Sequence, residues 1–248
     1  MLIDVHAHLD FPQFDADRDE VIRRAKGEGV IIVNSGLGRT GIKKTLEIIE
    51  KHDNVFATLG LSPREFGEDE IEGTIKLIRE NNGRIVGIGE VGLDYYWEKD
   101  AGNRRLEAEN FARFIELSEE LRLPLVIHSR GAEEETVRMV DSAGIKALLH
   151  CFGGTAEQAE DAAERGHLVS VPVNVVNSKQ KQVLAKALPL ESLVLETDAP
   201  YLAPVPKSRN EPANIKMSAE KIAHIKGMDT DTVANVTTQN ARKFFGLK

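Results

Sequence analysis

Several absences narrow the reading before any motif is considered. The chain has one cysteine, Cys151, so no internal disulfide framework can exist, and a reducing compartment, the cytoplasm, is the expected location. No apolar run approaches the roughly 18 residues needed to cross a bilayer. Asp4, His6 and His8 interrupt the first apolar stretch at once, so it is not expected to act as a signal peptide. Low-complexity tracts, Ser/Gly linkers and fixed-period repeats are missing. Basic charge is also in deficit: the formal net charge is −8, which argues against a broad nucleic-acid footprint. A local anion site remains compatible with that balance, because surface charge is screened over roughly 8 Å at physiological salt.

The composition is that of a globular protein, with 41% hydrophobic and 29% charged residues in 248. That length suits one large domain spanning 1–248. Short β-rich runs fall near 2–6, 30–34, 55–60, 84–89, 124–128, 145–149, 167–171 and 193–197. Stretches with helical apolar spacing lie between them, at 17–28, 40–51, 69–81, 104–121, 131–143, 155–165 and 178–187. The clearest is 104–121, where Leu106, Phe111, Phe114, Ile115, Ser118 and Leu121 recur at steps of three and four among Arg and Glu. Gly83, Gly144 and Gly166 are expected to close helices before the next strand. Eight strands alternating with helices predict an α/β fold, a (β/α)8 TIM barrel, with a doubly wound open sheet as the alternative. After a Pro-rich loop, two amphipathic helices are expected at about 215–226 and 229–244, the last capped by Thr230, Asp231 or a neighbour.

Barrel chemistry sits at the C-terminal ends of strands, so the residues ending each run carry the argument. The first run ends in His6-Ala-His8, and residues two apart on a strand face the same side. A lone His-x-His is weak evidence, since one imidazole is often a hydrogen-bonded core histidine. The pattern recurs, however: later runs end in Glu90, His128, His150 and Asp198. Four imidazoles and two carboxylates on one rim predict a metal centre. Six ligands exceed a single tetrahedral site, so two divalent ions (Mg2+, Mn2+ or Zn2+) bridged by a carboxylate are expected. His52, His167 and His224 fail the strand-end test and are read as structural or solvated. Cys151 lacks a dedicated base and is read as a small packing residue. Asp4 and Glu196 fall in phase with the ligands and are expected to orient imidazoles from one layer deeper.

These residues carry a resemblance. Asp4-Val-His-Ala-His-Leu-Asp10, Gly89-Glu-Val-Gly-Leu-Asp-Tyr95, Ile127-His-Ser-Arg130, Leu149-His-Cys-Phe-Gly153, Glu196-Thr-Asp-Ala-Pro-Tyr-Leu-Ala-Pro204 and Arg209-Asn-Glu-Pro212 are together highly specific. Through them the whole chain resembles the TatD-type metal-dependent deoxyribonucleases of the amidohydrolase-like superfamily. The resemblance implies a TIM barrel and assigns His6, His8, Glu90, His128, His150 and Asp198 as ligands, the same set as the strand ends. It also implies hydrolysis of DNA phosphodiester bonds, in the manner of a 3'–5' exonuclease. One segment departs from the family: where many members carry Gly-x-His-Pro-His, this chain has Gly60-Leu-Ser-Pro-Arg64, with Ser62 and Arg64 in place of two rim histidines.

The expected reaction is metal-assisted hydrolysis of a phosphate ester. His6 and His8 would hold one ion with Asp198, His128 and His150 the other, and Glu90 would bridge. Asp198 would orient the attacking water and accept its proton. Two divalent cations bring four positive charges and Glu90 with Asp198 removes two, so the rim is positive within an acidic protein. Arg130, Arg64, Arg209, Asn210 and Tyr201 are the expected substrate contacts. Arg64 could instead pair with Glu65, Glu68 or Asp69. Tyr95 could stack on a base or pack, and Lys207 is read as solvated. No obligate protein partner is evident. Two rival readings compete with this one. An amidohydrolase acting on C–N or lactone bonds would commonly use a modified lysine from the fourth strand, yet 84–90 contain none. An idle scaffold barrel would have lost ligands, and none is lost.

Overall fold

The computed structural model describes residues 1–248. Eight parallel strands close into a barrel in sequence order: β1 (Leu2–Ala7), β2 (Val30–Leu37), β3 (Val55–Gly60), β4 (Gly87–Asp94), β5 (Leu125–Arg130), β6 (Ala147–Leu149), β7 (Leu168–Pro172) and β8 (Leu193–Glu196). Helices follow them: α1 (Arg18–Gly27), α2 (Gly38–Lys51), α3 (Glu68–Glu80), α4 (Ala101–Leu121), α5 (Glu133–Ser142), α6 (Ala156–Glu164) and α7 (Lys179–Ala187). After β8 the chain runs through the Pro-rich loop to α8 (Lys216–Lys226) and α9 (Thr230–Phe245). The fold is a (β/α)8 barrel. No helix is long and apolar enough to cross a membrane.

Local chemistry fixes the helix ends. Asp100 accepts the Asn103 amide, Ser178 the Lys181 amide, and Thr155 with Gln158 forms a reciprocal capping box, each supplying an acceptor that a first turn lacks. Asp229, the neighbour preceding Thr230, caps α9 by accepting the Thr232 amide. Gly144 and Gly166 close their helices at positive φ, whereas Gly83 sits in a short 3-10 turn, Asn82–Arg84.

Two apolar layers result from the two faces of the strands. The larger lies between barrel and helices. The smaller is formed by Ile3, Val5, Val33, Val126, Leu148 and Val194, closed off by Ala241 and Phe245 of α9. Two residues beyond Val33, Val126, Leu148 and Val194, the same phase brings Ser35, His128, His150 and Glu196 to the opposite end of the barrel. His6 and His8, by contrast, have the other parity from Ile3 and Val5 on β1, whose register shifts between Asp4 and Ala7. Apolar packing at one mouth thus sets which residues are presented at the other.

Two strands depart from the regular pattern expected of them. β4 was expected over 84–89 with Glu90 at its end, but it runs on to Asp94, and its register with β5 shifts between Ile88 and Val91. β1 shifts against β2 between Asp4 and Ala7. Such irregularities re-aim side chains, and both fall at positions expected to supply ligands.

Candidate metal centre

His6 belongs to β1 and His8 lies just beyond it. The Nδ1 of His8 donates to the Ser35 carbonyl, 3.1 Å away, which leaves Nε2 as a bare lone pair. That lone pair faces Nε2 of His6 at 3.1 Å. Burial lowers the pKa of His6 and takes His8 down to about 4, so both rings are neutral. Around the pair lie Glu90 Oε2, 3.4 Å from His6 and 3.6 Å from His8, and Asp198 Oδ1, 4.0 and 3.6 Å away.

Glu90 divides its two oxygens. Oε2 faces the His6 and His8 pair, while Oε1 lies 2.6 Å from His128 Nδ1 and 3.9 Å from His150 Nε2. Its backbone N–H donates to Ser35 Oγ at 2.9 Å. Ser35 therefore braces His8 with its carbonyl and Glu90 with its hydroxyl, although no motif drew attention to it. His150 is aimed by Glu196, whose Oε2 is 2.7 Å from Nδ1. Glu196 is itself held by Ser170 Oγ and the Cys151 amide. The ring of His150 stacks on His6 with centroids 3.7 Å apart.

His128 has a partner outside the expected ligand set. Its Nε2 lies 3.1 Å from Asp94 Oδ2, and the Asp94 amide donates to Glu107. Asp94 stands two turns of the pleat beyond Glu90 on the same strand, so the period of two from Glu90 was the available signal.

Asp4 does not orient an imidazole. Its carboxylate accepts from the amide and hydroxyl of Thr197 and from the His6 amide, with burial raising its pKa to about 8. The register shift after Asp4 takes it out of phase with the ligands. It works instead on the corner that presents Asp198. There the Asp198 amide donates to the His6 carbonyl, and Asp198 adopts φ of 54°.

Donor chemistry supports cation binding. His6, His8 and Asp198 form one cluster of ligand atoms within 4.8 Å of one another, and His6, Glu90 and His150 form a second. His128 belongs to neither, held instead against Glu90 and Asp94. Without an ion, the carboxylates draw protons onto the far imidazoles. Burial alone would lower both, yet hydrogen bonds to Asp94 and Glu90 lift His128 to about 10, and Glu196 with Glu90 lifts His150 to about 9. A buried set of acids and lone pairs that recruits positive charge in this way is suited to divalent cations.

The expected substrate contacts separate into two groups. Arg64 is exposed and has no carboxylate partner: Glu65 caps the Gly67 amide and Glu68 pairs with Arg113. Arg130 is exposed at the end of β5, and Tyr201 is 48% exposed with its amide donating to the Asp198 carbonyl. Arg209 is committed elsewhere, in a two-bond pair with Asp17 at 2.6 and 2.7 Å and over the ring of Phe14. Asn210 is fully buried. It donates to the Thr197 carbonyl and accepts from Glu211 and Asn214, which makes it a brace for the Asp198 corner and leaves it no free group for a substrate.

The other expectations are placed plainly. Tyr95 packs beneath Arg104, and burial raises it to about 12. Lys207 is exposed on its loop. His52 pairs with Asp19, His167 bonds Asp141 and the Ala147 amide, and His224 is exposed on α8. Burial pushes the Cys151 thiol up to about 12, so it is no nucleophile.

A parallel eight-stranded barrel carrying a His-rich carboxylate centre at its strand ends defines a metal-dependent hydrolase. Comparison narrows this further. Residues 3–246 match the family described as TatD related DNase, and the chain belongs to that family. It is 40% identical over 245 residues to an uncharacterized metal-dependent hydrolase of Methanocaldococcus jannaschii, covering 98% of this chain and 96% of that protein. It is 38% identical over 259 residues to a deoxyribonuclease of Homo sapiens, covering 98% and 94%. A TatD family hydrolase structure from Entamoeba histolytica superposes with a TM-score of 0.90 at 24% identity, over 100% of this chain and 98% of the other, and so shares the fold.

Proposed function

We propose that this protein hydrolyses phosphodiester bonds of DNA with two divalent ions bound at the strand ends. The observation that carries the reading is the division of Glu90, one oxygen toward His6 and His8 and the other toward His128 and His150. A carboxylate that faces two separate imidazole pairs is suited to bridging, and a single-ion site would need no second pair. His6 and His8 with Asp198 would hold one ion, and His128 with His150 the other. When bound, such ions supply Lewis-acid charge and lower the pKa of a water toward neutrality.

The chain's own groups account for the remaining steps. Asp198 is aimed into the centre by a corner that Asp4 and Asn210 hold, and it takes the proton of the attacking water at its carboxylate. Ser35, Glu196 and Asp94 keep His8, His150 and His128 turned so that each presents one ring nitrogen inward. Arg64 and Arg130, free of carboxylate partners, hold the phosphate. Arg64 offers a permanent charge in a planar fork.

The test is hydrolysis of DNA, RNA and a small phosphodiester with Mg2+, Mn2+ and Zn2+ in turn, alongside metal analysis of the purified protein. Turnover of DNA with about two ions per chain supports the proposal. Turnover confined to C–N or lactone substrates, or full activity with one ion, overturns it.

A further inference from the structure

The loop leaving β4 carries two large aromatic side chains into solvent, and nothing in the metal centre uses them. Tyr96 is 50% exposed and Trp97 56%. Their backbone is nevertheless fixed: the Tyr96 amide donates to the Arg130 carbonyl at 3.0 Å, and the Trp97 amide to Asp94 Oδ1 at 3.1 Å. The rings meet edge to face with centroids 4.9 Å apart. The guanidinium of Arg130 lies over both, 4.0 Å from the Tyr96 centroid and 5.5 Å from that of Trp97, and Lys99 Nζ is 5.5 Å from Tyr96. No carboxylate lies within ion-pair distance of either cation, and Lys99 Nζ donates to the Tyr95 carbonyl at 2.9 Å.

Position gives the patch its meaning. Arg130 follows His128 by two residues on β5, and Trp97 follows Asp94, the partner of His128, by three. The exposed rings therefore border the His128 end of the metal centre. An apolar protein surface would have to bury two cations that have no counter-charge to cover them. A polyanion bearing flat rings meets both features at once.

We infer that Tyr96, Trp97 and Arg130 form a nucleobase platform, on which an unpaired base beside the scissile phosphate stacks while Arg130 and Lys99 answer neighbouring phosphates. Aromatic and guanidinium planes accept any base, so the platform adds grip without sequence preference. A base within a duplex has both faces covered, so the ligand is a frayed end or single strand. The inference rests on the phosphodiester reading above.

Trp97 is the only tryptophan in the chain, so its emission reports this patch alone. The metal-loaded full chain is mixed rapidly with a thymidine oligonucleotide, or with an abasic strand of equal length and charge, and followed before turnover. Quenching by the first and little by the second is expected. Trp97→Ala should raise KM for the oligonucleotide about tenfold with kcat within about twofold, and Trp97→Phe should restore most of the loss. Equal quenching by both strands, an unchanged KM, or a loss confined to kcat overturns the platform. Absence of hydrolysis with every metal overturns the phosphodiester reading instead, while the emission change still decides whether bases stack on Trp97.

Discussion

Asp94 Oδ2 stands 3.1 Å from Nε2 of His128, on the opposite side of the ring from Glu90, which lies 2.6 Å from Nδ1. One imidazole is thereby gripped at both nitrogens by two carboxylates of the same strand. If His128 is a ligand through Nδ1, Asp94 fixes both its tautomer and its ring plane. Asp94→Asn should weaken binding of one of the two proposed ions by ~10–100-fold, the usual cost of losing such a partner. Competition against a chelator would measure it, and two ions held at unchanged affinity would show that Asp94 does not position His128.

Ser35→Ala removes the hydroxyl that accepts the Glu90 amide, 2.9 Å away in the barrel interior. A buried donor left without a partner costs ~1–3 kcal/mol. The urea midpoint of the ion-free variant should fall accordingly, and metal loading should weaken as Glu90 loosens. A midpoint equal to that of the parent protein would mean the amide finds another acceptor.

Glu90→Gln should abolish hydrolysis and lower metal content, because a neutral amide cannot serve as an anionic bridge. Asp198→Asn should retain much of the metal and lose ~10²-fold or more in kcat, the lower range for general-base action. A rise in KM with kcat intact would make Asp198 a binding residue.

The arginines should behave differently from one another. Arg209 is engaged with Asp17, so Arg209→Ala should leave KM for oligonucleotides within about twofold and cost at most ~1 kcal/mol of stability, as exposed ion pairs do. Arg64→Ala should raise KM and flatten its salt dependence, since a phosphate contact is lost. The reverse ranking in a KM series at several salt concentrations would return Arg209 to the substrate.

Without its ions the protein should lose stability as pH rises from about 6.5 to 10. His128 and His150 are raised to about 10 and 9, so their folded-state protonation stabilises fully below the unfolded value near 6.5 and is lost through the folded values. Asp4 and Asp198, raised to about 8 and 7, add loss in the same direction between about 3.8 and 8. His6 and His8 are lowered, so they oppose this only below about 6.5. Urea unfolding of the chelated protein at pH 6.5 and pH 9 checks the sign. Metal-loaded protein should show a smaller slope, because cations replace the protons.

The alternation of apolar runs with helical stretches was enough to read eight strands, their order around a barrel and six polar residues at their ends. It could do so because phase along a strand is a local property: Val126 and His128, or Leu148 and His150, face one way whatever lies across from them. Partners were another matter. The carboxylate that holds His128, the serine that holds both His8 and Glu90, and the acid 192 positions before Arg209 in the chain are chosen by barrel closure and by irregular register in β1 and β4. Asn210 looked like a loop residue free to meet a substrate, and tertiary contacts alone show it sealed against Thr197. Sequence period fixes direction, while long flexible side chains and buried hydrogen bonds settle only when the distant element that completes them has been packed into place.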